Sequence, residues 1–279
     1  MKTTDVKWCI EKDFFWEFQP DTILKALEKL GIEYHFLKLN CNSTPFNEKD
    51  CVIVHGSIEF ARKLNRSAPW TPGASWICER PKSLYCSQYY SYFGEHLLNQ
   101  ECCFLPLSEL IRKKDFYFKL FGKDNRLFVR PDSPYKEFTG HVFDKDKLEG
   151  QLKGLSYGEL SPTLMTLVAK PKKILAEYRF YVCKDEVVTG SRYMLNGEHD
   201  EEKGYSGNAL RLAREISEVG WRPSPIFVVD IGETEDGECK LLEINSFNCS
   251  GMYLCDLEKI VKKANEKALA DWEGVYIDI

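Results

Sequence analysis

The sequence predicts a mixed α/β and α+β protein, a small parallel α/β unit followed by a larger region of strands joined by turns, and three patterns predict it. The first ninety or so residues alternate short apolar runs with amphipathic stretches. From about Phe104 strand-like segments dominate, and two helical stretches lie in the C-terminal third. With 43% hydrophobic and 13% aromatic residues among 279, the chain can bury a full core in one large domain or two closely packed ones.

Residues 6–10 read as a first strand. Asp21 has the character of a helix N-cap, Ile23, Leu24, Leu27 and Leu30 follow helical spacing, and Gly31 stops the helix before a second strand over 32–39. Residues 51–55 form a continuous apolar run, suited to a strand buried on both faces. Gly56-Ser57 then turns the chain into a helix carrying Ile58, Phe60, Ala61 and Leu64. Such βαβα order predicts a parallel sheet flanked by helices. Pro69 to Gly73 breaks the pattern and opens an irregular aromatic stretch through Trp76, Tyr85, Tyr89, Tyr90, Tyr92 and Phe93, read as inter-domain packing ahead of substrate stacking. Further strands are expected over 126–130, 177–182, 187–193, 226–231 and 239–244, with a four-residue loop, 183–186, joining the second and third as a hairpin. Helices are expected over 207–219 and 256–270.

The net charge of −5 gives no global reason to expect a nucleic-acid backbone or an anionic membrane as partner, although a local basic cleft is compatible with it. No apolar core of signal-peptide length follows Met1, and no run reaches the roughly 18 apolar residues of a membrane span, so a cytoplasmic protein is expected. Eleven cysteines, an odd number with no C-x-x-C pair, predict reduced and mostly buried thiols. Neither adjacent Cys102-Cys103 nor the five isolated histidines have zinc-site spacing.

Three constellations carry chemistry. In the first, two apolar strands end at Asp230 and at Glu243-Ile244-Asn245. If they are antiparallel neighbours joined through 232–237, Asp230 and Glu243 lie side by side, and Glu243 and Asn245, two apart, share a face. Three converging oxygen ligands suit Mg²⁺; spacing alone admits equally a strand end carrying solvated acids. The second is Arg130 at the end of a strand, followed by a Ser/Pro/Thr/Gly turn with Lys136, a cradle for a triphosphate or a basic surface loop. It is not a Walker loop, because no G-x-x-x-x-G-K-[ST] occurs. The third is Glu177-x-Arg179 with Arg192 on the next strand, arginines that either stabilise charge in phosphoryl transfer or simply pair with acids.

Taken in order, Phe128-Val129-Arg130-Pro131 with Lys136-x-Phe138-Thr139-Gly140, Lys170-Pro171-Lys172-x-Ile174, Glu177-Tyr178-Arg179-Phe180 with Gly190-Ser191-x-Tyr193, and Val229-Asp230 with Glu243-Ile244-Asn245-Ser246-Phe247-Asn248 resemble the ATP-grasp superfamily. The likeness is to a poorly characterised branch of ligase-like proteins often found in phages and bacteria, and it spans about half the chain. It implies an N-terminal α/β domain over 1–103 and an ATP-grasp domain over 104–279, whose two α+β lobes enclose the nucleotide. It also implies ATP and Mg²⁺, or Mn²⁺, as cofactors. By the same resemblance Arg130 stands where many members carry a phosphate-binding lysine, and Lys136 lies in a mobile loop over the phosphates. Val168, Ala169 and Lys170 lie in the segment whose backbone reads the adenine edge. Asp230, Glu243 and Asn245 match the metal ligands, Glu177 belongs with the nucleotide-binding residues, Arg192 contacts the transferred phosphate, and Arg179 helps organise the same pocket, so that Arg192, Arg179 and Lys136 are the implied catalytic residues. Arginine for lysine at 130 changes the phosphate geometry, because a planar fork binds differently from a point charge. The additional upstream phosphate lysine of more familiar members has no clear counterpart around 85–95.

The implied chemistry is activation of a carboxylate as an acyl phosphate, then attack by an amine or similar nucleophile. Small-molecule or peptide substrates fit, and no protein nucleophile is needed; consistently, neither G-x-S-x-G nor the K-x-D-G of lysyl-adenylate enzymes occurs. The competing reading is a regulatory module that holds Mg-nucleotide without turnover. Ser57, Trp76, Arg80, Tyr89, Asn248, Ser250 and Tyr253 are candidates for the acceptor pocket, each individually as well suited to a structural role.

Overall fold

The computed structural model describes residues 2–12, 21–41, 43–77 and 84–276. Its first layer is a parallel sheet of β1 (Lys7–Glu11), β2 (Tyr34–Leu37), β3 (Cys51–His55) and β4 (Thr71–Gly73), in the order β2-β1-β3-β4. As expected of a strand covered on both sides, β3 sends Cys51 and Ile53 into one core and Val52 and Val54 into another. Helix α1 (Asp21–Lys29) covers the first face and α2 (Ile58–Ser67), with Phe60, Ala61 and Leu64, the second. Gly31 ends α1 at φ 66°, with its N–H on Glu28 O and that of Ile32 on Leu27 O, the paired bonds of a Schellman cap. The expected N-cap at Asp21 involves a side chain outside the described residues, and the helix itself begins there.

Part of the aromatic stretch forms α3 (Cys86–Phe93), a helix not expected from its sequence. The second sheet comprises β5 (Cys102–Pro106), β6 (Arg126–Pro131), β7 (His141–Asp144) and β8 (Met165–Ala169), antiparallel in the order β5-β8-β6-β7. Helices α4 (Leu107–Arg112), α5 (Lys114–Phe121) and α6 (Leu148–Leu155) back one face of it, where Leu110, Phe118, Leu127, Val129, Leu148 and Val168 form a core. These helices too were not expected. The boundary expected between residues 103 and 104 falls inside β5.

The third sheet is antiparallel, β9 (Ile174–Cys183), β10 (Glu186–Leu195), β11 (Glu198–Lys203), β12 (Ile226–Thr234) and β13 (Cys239–Ser246), in the order β11-β10-β9-β12-β13, with α7 (Gly207–Glu218) on one face. The β9–β10 connection is a two-residue turn, Lys184-Asp185, since Glu186 already pairs with Cys183; Lys184 makes it possible with φ 54°. Likewise β12 runs beyond the expected turn, and Gly232 is a strand residue whose lack of a side chain admits Leu242, 2.8 Å from a Cβ built there. The last helix, α8 (Leu257–Tyr276), returns to the first sheet, placing Ile260, Val261, Ala264 and Ala268 in the core with Trp8 and Ile53. There the Trp8 indole donates to Asn265 Oδ1 at 2.9 Å, and Asn265 Nδ2 donates to Thr3 O at 3.0 Å, so the buried amide is satisfied at both ends. The ten described cysteines are free thiols, and Cys78 lies outside the described residues. No helix among the described residues is long and apolar enough to cross a membrane.

Candidate active site

One face of the third sheet changes character along its strands. Cys183 and Tyr181 of β9 pair with Ile226 and Val228 of β12, and all four belong to the core shared with the first sheet. Two residues further in each strand, on the same face by pleat alternation, Arg179 stands opposite Asp230 and Glu177 opposite Gly232. On β13, Asn245 pairs with Val228 and Glu243 with Asp230, so Glu177, Arg179, Asp230, Glu243 and Asn245 form one polar patch.

Asp230 is buried, and both its oxygens are held by Arg179: Nε reaches Oδ1 at 2.8 Å and Nη2 reaches Oδ2 at 2.7 Å. Asn245 Nδ2 donates to Oδ2 at 2.9 Å. Arg179 also donates to Gly251 O at 3.1 Å and lies over two tyrosines, 5.4 Å from the Tyr193 ring and 4.9 Å from that of Tyr253. Those rings stack, 4.8 Å apart at 4°. The Tyr193 hydroxyl donates to Glu177 at 2.6 Å.

The second sheet supplies the facing cations. Arg130 Nη2 lies 3.3 Å from Glu243 Oε2, and Lys136 Nζ 3.8 Å from Oε1. Burial alone would raise the Glu243 pKa, but the charges of Lys136, Arg130 and Arg179 and a hydrogen bond from Asn245 outweigh it and bring it down to about 2. Glu177 moves the other way: burial chiefly, then the charges of Asp230 and Glu243, raise it against the Tyr193 hydrogen bond and Arg179. Two neighbouring carboxylates thus differ in proton affinity, with Glu243 the firmly ionised one.

Of the residues expected at a site, the structure brings together Arg130, Lys136, Glu177, Arg179, Asp230, Glu243 and Asn245. It does not bring Arg192 among them. That residue pairs across β10 with Tyr178, not with Arg179, and its guanidinium is engaged by Asp200 at 3.1 Å and Glu202 at 2.5 Å on the outer strand β11. Val168 and Ala169 lie in β8 between β5 and β6, each with a partner on both sides, so their backbone is taken up by the ladders; Lys170 is the first residue past them. Among the acceptor candidates, Tyr253 adjoins the site. Trp76 donates to Asp271 at 2.9 Å, Tyr89 is buried in the core with Phe93 and Trp221, and Ser57 caps α2. Asn248 and Ser250 are buried, the first donating to Val54 O at 2.6 Å and the second to Ser246 O at 2.6 Å. Arg80 lies outside the described residues.

Sequence reasoning missed what holds the loop after Arg130. Asp132 accepts from the Ser87 N–H and hydroxyl, both at 2.7 Å, and so fastens the start of α3 beside the strand that carries Arg130. Ser133 donates to both oxygens of Glu137 at 3.0 Å and accepts from the Tyr135 N–H at 3.0 Å. An Asp-Ser pair followed by Glu four residues later was the available signal.

For a divalent cation the donor set is two carboxylates and an amide, hard oxygen donors of the kind Mg²⁺ takes alongside phosphate and water. Among the described residues no group of three or more His, Cys, Asp or Glu side chains could hold a metal ion, so Asp230, Glu243 and Asn245 would hold one only together with other donors such as phosphate and water.

The fold is that of the ATP-grasp ligases. Similar solved structures include D-cycloserine synthetase DcsG, at 10% identity and TM-score 0.63 over 94% of this chain and 99% of that one. The D-alanine–D-alanine ligase of Bacillus anthracis complexed with ATP is similar at 15% identity and TM-score 0.57, over 96% and 99%. ATP-grasp ligase PsnB complexed with a minimal precursor is similar at 11% and 0.56, over 96% and 100%. No curated protein matches the sequence. Residues 109–263, more than half of the chain, match the ATP-grasp domain of R2K clade family 2, and the chain belongs to that family.

Proposed function

We propose that the protein is an ATP-dependent ligase that activates a carboxylate as an acyl phosphate for attack by an amine or similar nucleophile. The observation that supports it most is Glu243, ionised on one sheet beside Asp230 and Asn245 while Arg130 and Lys136 reach it from the other. In the reaction the substrate carboxylate oxygen attacks the γ-phosphorus and ADP leaves. The amine then attacks the acyl carbon, phosphate departs with the electron pair, and the amine gives up a proton. Arg130 and Lys136 exchange Glu243 for phosphate oxygens, where their charge offsets that of the transferred group. Arg179 holds Asp230 in place, and Glu177, the carboxylate with raised pKa, accepts from Tyr193 and orders that wall. Bound at Glu243, Asn245 and Asp230, Mg²⁺ or Mn²⁺ would neutralise and orient the phosphates. The adenine edge falls to the backbone at Lys170 and beyond, and Arg192 joins the phosphates only by leaving Asp200 and Glu202. Residues 1–103 and the segment after Asn245 contribute the acceptor side. The substrate in this reading is a small molecule or peptide carrying a carboxylate, in the cytoplasm; its chemical class is supported by ligases of this fold, one named for D-alanine and one complexed with a precursor peptide.

Screening carboxylate–amine pairs with ATP is expected to release ADP and phosphate only when both are present; AMP with pyrophosphate would contradict the scheme. Glu243→Gln keeps the volume and removes the charge, so turnover is expected to be lost with circular dichroism unchanged. Full activity in that variant rules the site out. Mg-dependent nucleotide binding without turnover on any pair would instead identify a regulatory module.

A further inference from the structure

The loop that carries Lys136 is fastened at both flanks. On one side Asp132 is bound by Ser87, and its N–H donates to Met165 O at 2.9 Å. On the other, the Tyr157 N–H donates to Glu137 O at 3.2 Å and Phe138 bridges to Ser156. Between the flanks, besides the Lys136–Glu243 pair, a contact comes from the first unit. Arg62, on α2 of the first unit, places its guanidinium carbon 4.1 Å from the centroid of the Tyr135 ring, and Tyr85 meets the same ring edge-on at 6.2 Å. Tyr135 immediately precedes Lys136, which is half-exposed and holds φ at 52°, a backbone region that lysine adopts only where its surroundings impose it.

Helix α2 has a second attachment at its other end. The Gly56 N–H donates to Asn248 O at 2.9 Å, on the stretch between Asn245 and Tyr253, while Ser57 caps the helix with its own N–H on Glu11 at 2.6 Å. From Ser57 to Arg62 is about 7.5 Å along the helix axis, at roughly 1.5 Å per residue. A single rigid element therefore touches the segment that follows the metal-face residues and the loop that carries the phosphate-facing lysine.

We propose that Arg62 is a positioning residue: through Tyr135 it seats Lys136 over the phosphates and ties that seating to α2 and the Asn248 segment. This rests on the nucleotide reading of the site given above. A planar guanidinium over an aromatic face is a directional contact carried by the ring, so a variant that keeps the ring keeps this contact. The contact pre-organises the loop, so that a nucleotide meets Lys136 already seated and the ordering cost on binding is smaller.

The test uses the full chain and two measurements. Calorimetry with the non-hydrolysable Mg·AMPPNP reads seating of the loop, and trypsin, which cuts after lysine, reads its opening at Lys136–Glu137 in the nucleotide-free protein, with the cut located by mass spectrometry. Arg62→Ala and Tyr135→Leu are expected to weaken Mg·AMPPNP binding about 3- to 10-fold and to speed the cut at least about threefold. Tyr135→Phe, which keeps the ring, is expected to stay within about twofold of the wild type in both. Wild-type behaviour of Arg62→Ala and Tyr135→Leu overturns the proposal, as does an equal loss in Tyr135→Phe. Should the wild type bind no Mg·AMPPNP, the nucleotide reading falls, and the tryptic rates alone decide the positioning role, unchanged rates overturning it.

Discussion

Two arginines with similar sequence surroundings sit in opposite electrostatic settings. The Arg179–Asp230 pair is nearly enclosed, with side-chain exposures of 8% and 5%, whereas Arg192 binds acids that are 46% and 61% exposed. Arg179→Met strands a buried carboxylate and is expected to cost about 3–5 kcal/mol, while Arg192→Met costs about 0–1 kcal/mol because water screens its partners; urea unfolding of both variants measures the contrast. His55 offers a pH signature. Its ring is buried between Trp8 and Phe247, and burial chiefly, opposed by a backbone hydrogen bond at Ser250, brings its pKa down from 6.5 to about 4. Between those values the unfolded chain takes up a proton that the folded chain refuses, so stability falls as pH drops from about 6.5 towards 4, by up to about 3 kcal/mol. In His55→Phe that slope is expected to flatten in thermal melts across the same range, and an unchanged slope would assign it to other groups. At this scale alternation within one strand put Glu243 and Asn245 on a shared face, and Asp230 joined them on the condition that the two strands are antiparallel neighbours, which β12 and β13 are. It could not show the fate of Arg192. The register of β10 shifts between Arg192 and Met194, and the acids that hold the guanidinium belong to a strand, β11, that has no apolar alternation to reveal it.

The elements that were readable in advance are those whose pattern matches their burial. The first helix had helical spacing and a stop glycine, and β3 had an unbroken apolar run between two cores. Helices α3 and α5 hid because aromatics crowd them on several sides: Phe116, Tyr117, Phe118 and Phe121 give α5 no clean polar face, and Phe116 and Leu120 in fact stay exposed. Strand pairing carries a further requirement at Gly190, which lies opposite Phe180. A Cβ there would stand 2.4 Å from Phe180 Cδ1 and 3.0 Å from Arg179 O. Since Phe180 is fully buried under α7, it has nowhere to retreat. Gly190→Ala is therefore expected to destabilise the protein by about 1–3 kcal/mol through overpacking. It should also lower activity beyond what stability explains, because Arg179 and Ser191 are the next pair in the same ladder. A wild-type melting temperature for this variant would show that the β9–β10 spacing can open without cost.

Across the whole molecule, the site is a charge balance shared by two sheets. Arg130, Lys136 and Arg179 face Glu177, Asp230 and Glu243, and the cations of one lobe already occupy the carboxylate of the other. A triphosphate entering alone would draw Arg130 and Lys136 away from Glu243 and leave an ionised carboxylate beside four more negative charges. A divalent cation entering alone would compete with those same two side chains. Entering together, each supplies the counter-charge that the other removes, so nucleotide and metal are expected to bind interdependently, and by linkage each must favour the other by the same factor. We expect AMPPNP to bind at least about tenfold more weakly in EDTA than with Mn²⁺, a coupling of about 1.4 kcal/mol or more, and Mn²⁺ affinity read by electron paramagnetic resonance to rise by the same factor when nucleotide is added. Part of that coupling is intrinsic to the chelation of metal by the phosphates in water, and Glu243→Gln separates the two contributions. With the carboxylate gone, Arg130 and Lys136 are free for phosphate, so metal-free nucleotide should bind more tightly than to the wild type while the gain from metal shrinks. Coupling as large in Glu243→Gln as in the wild type would mean that the protein's own charge balance takes no part in it.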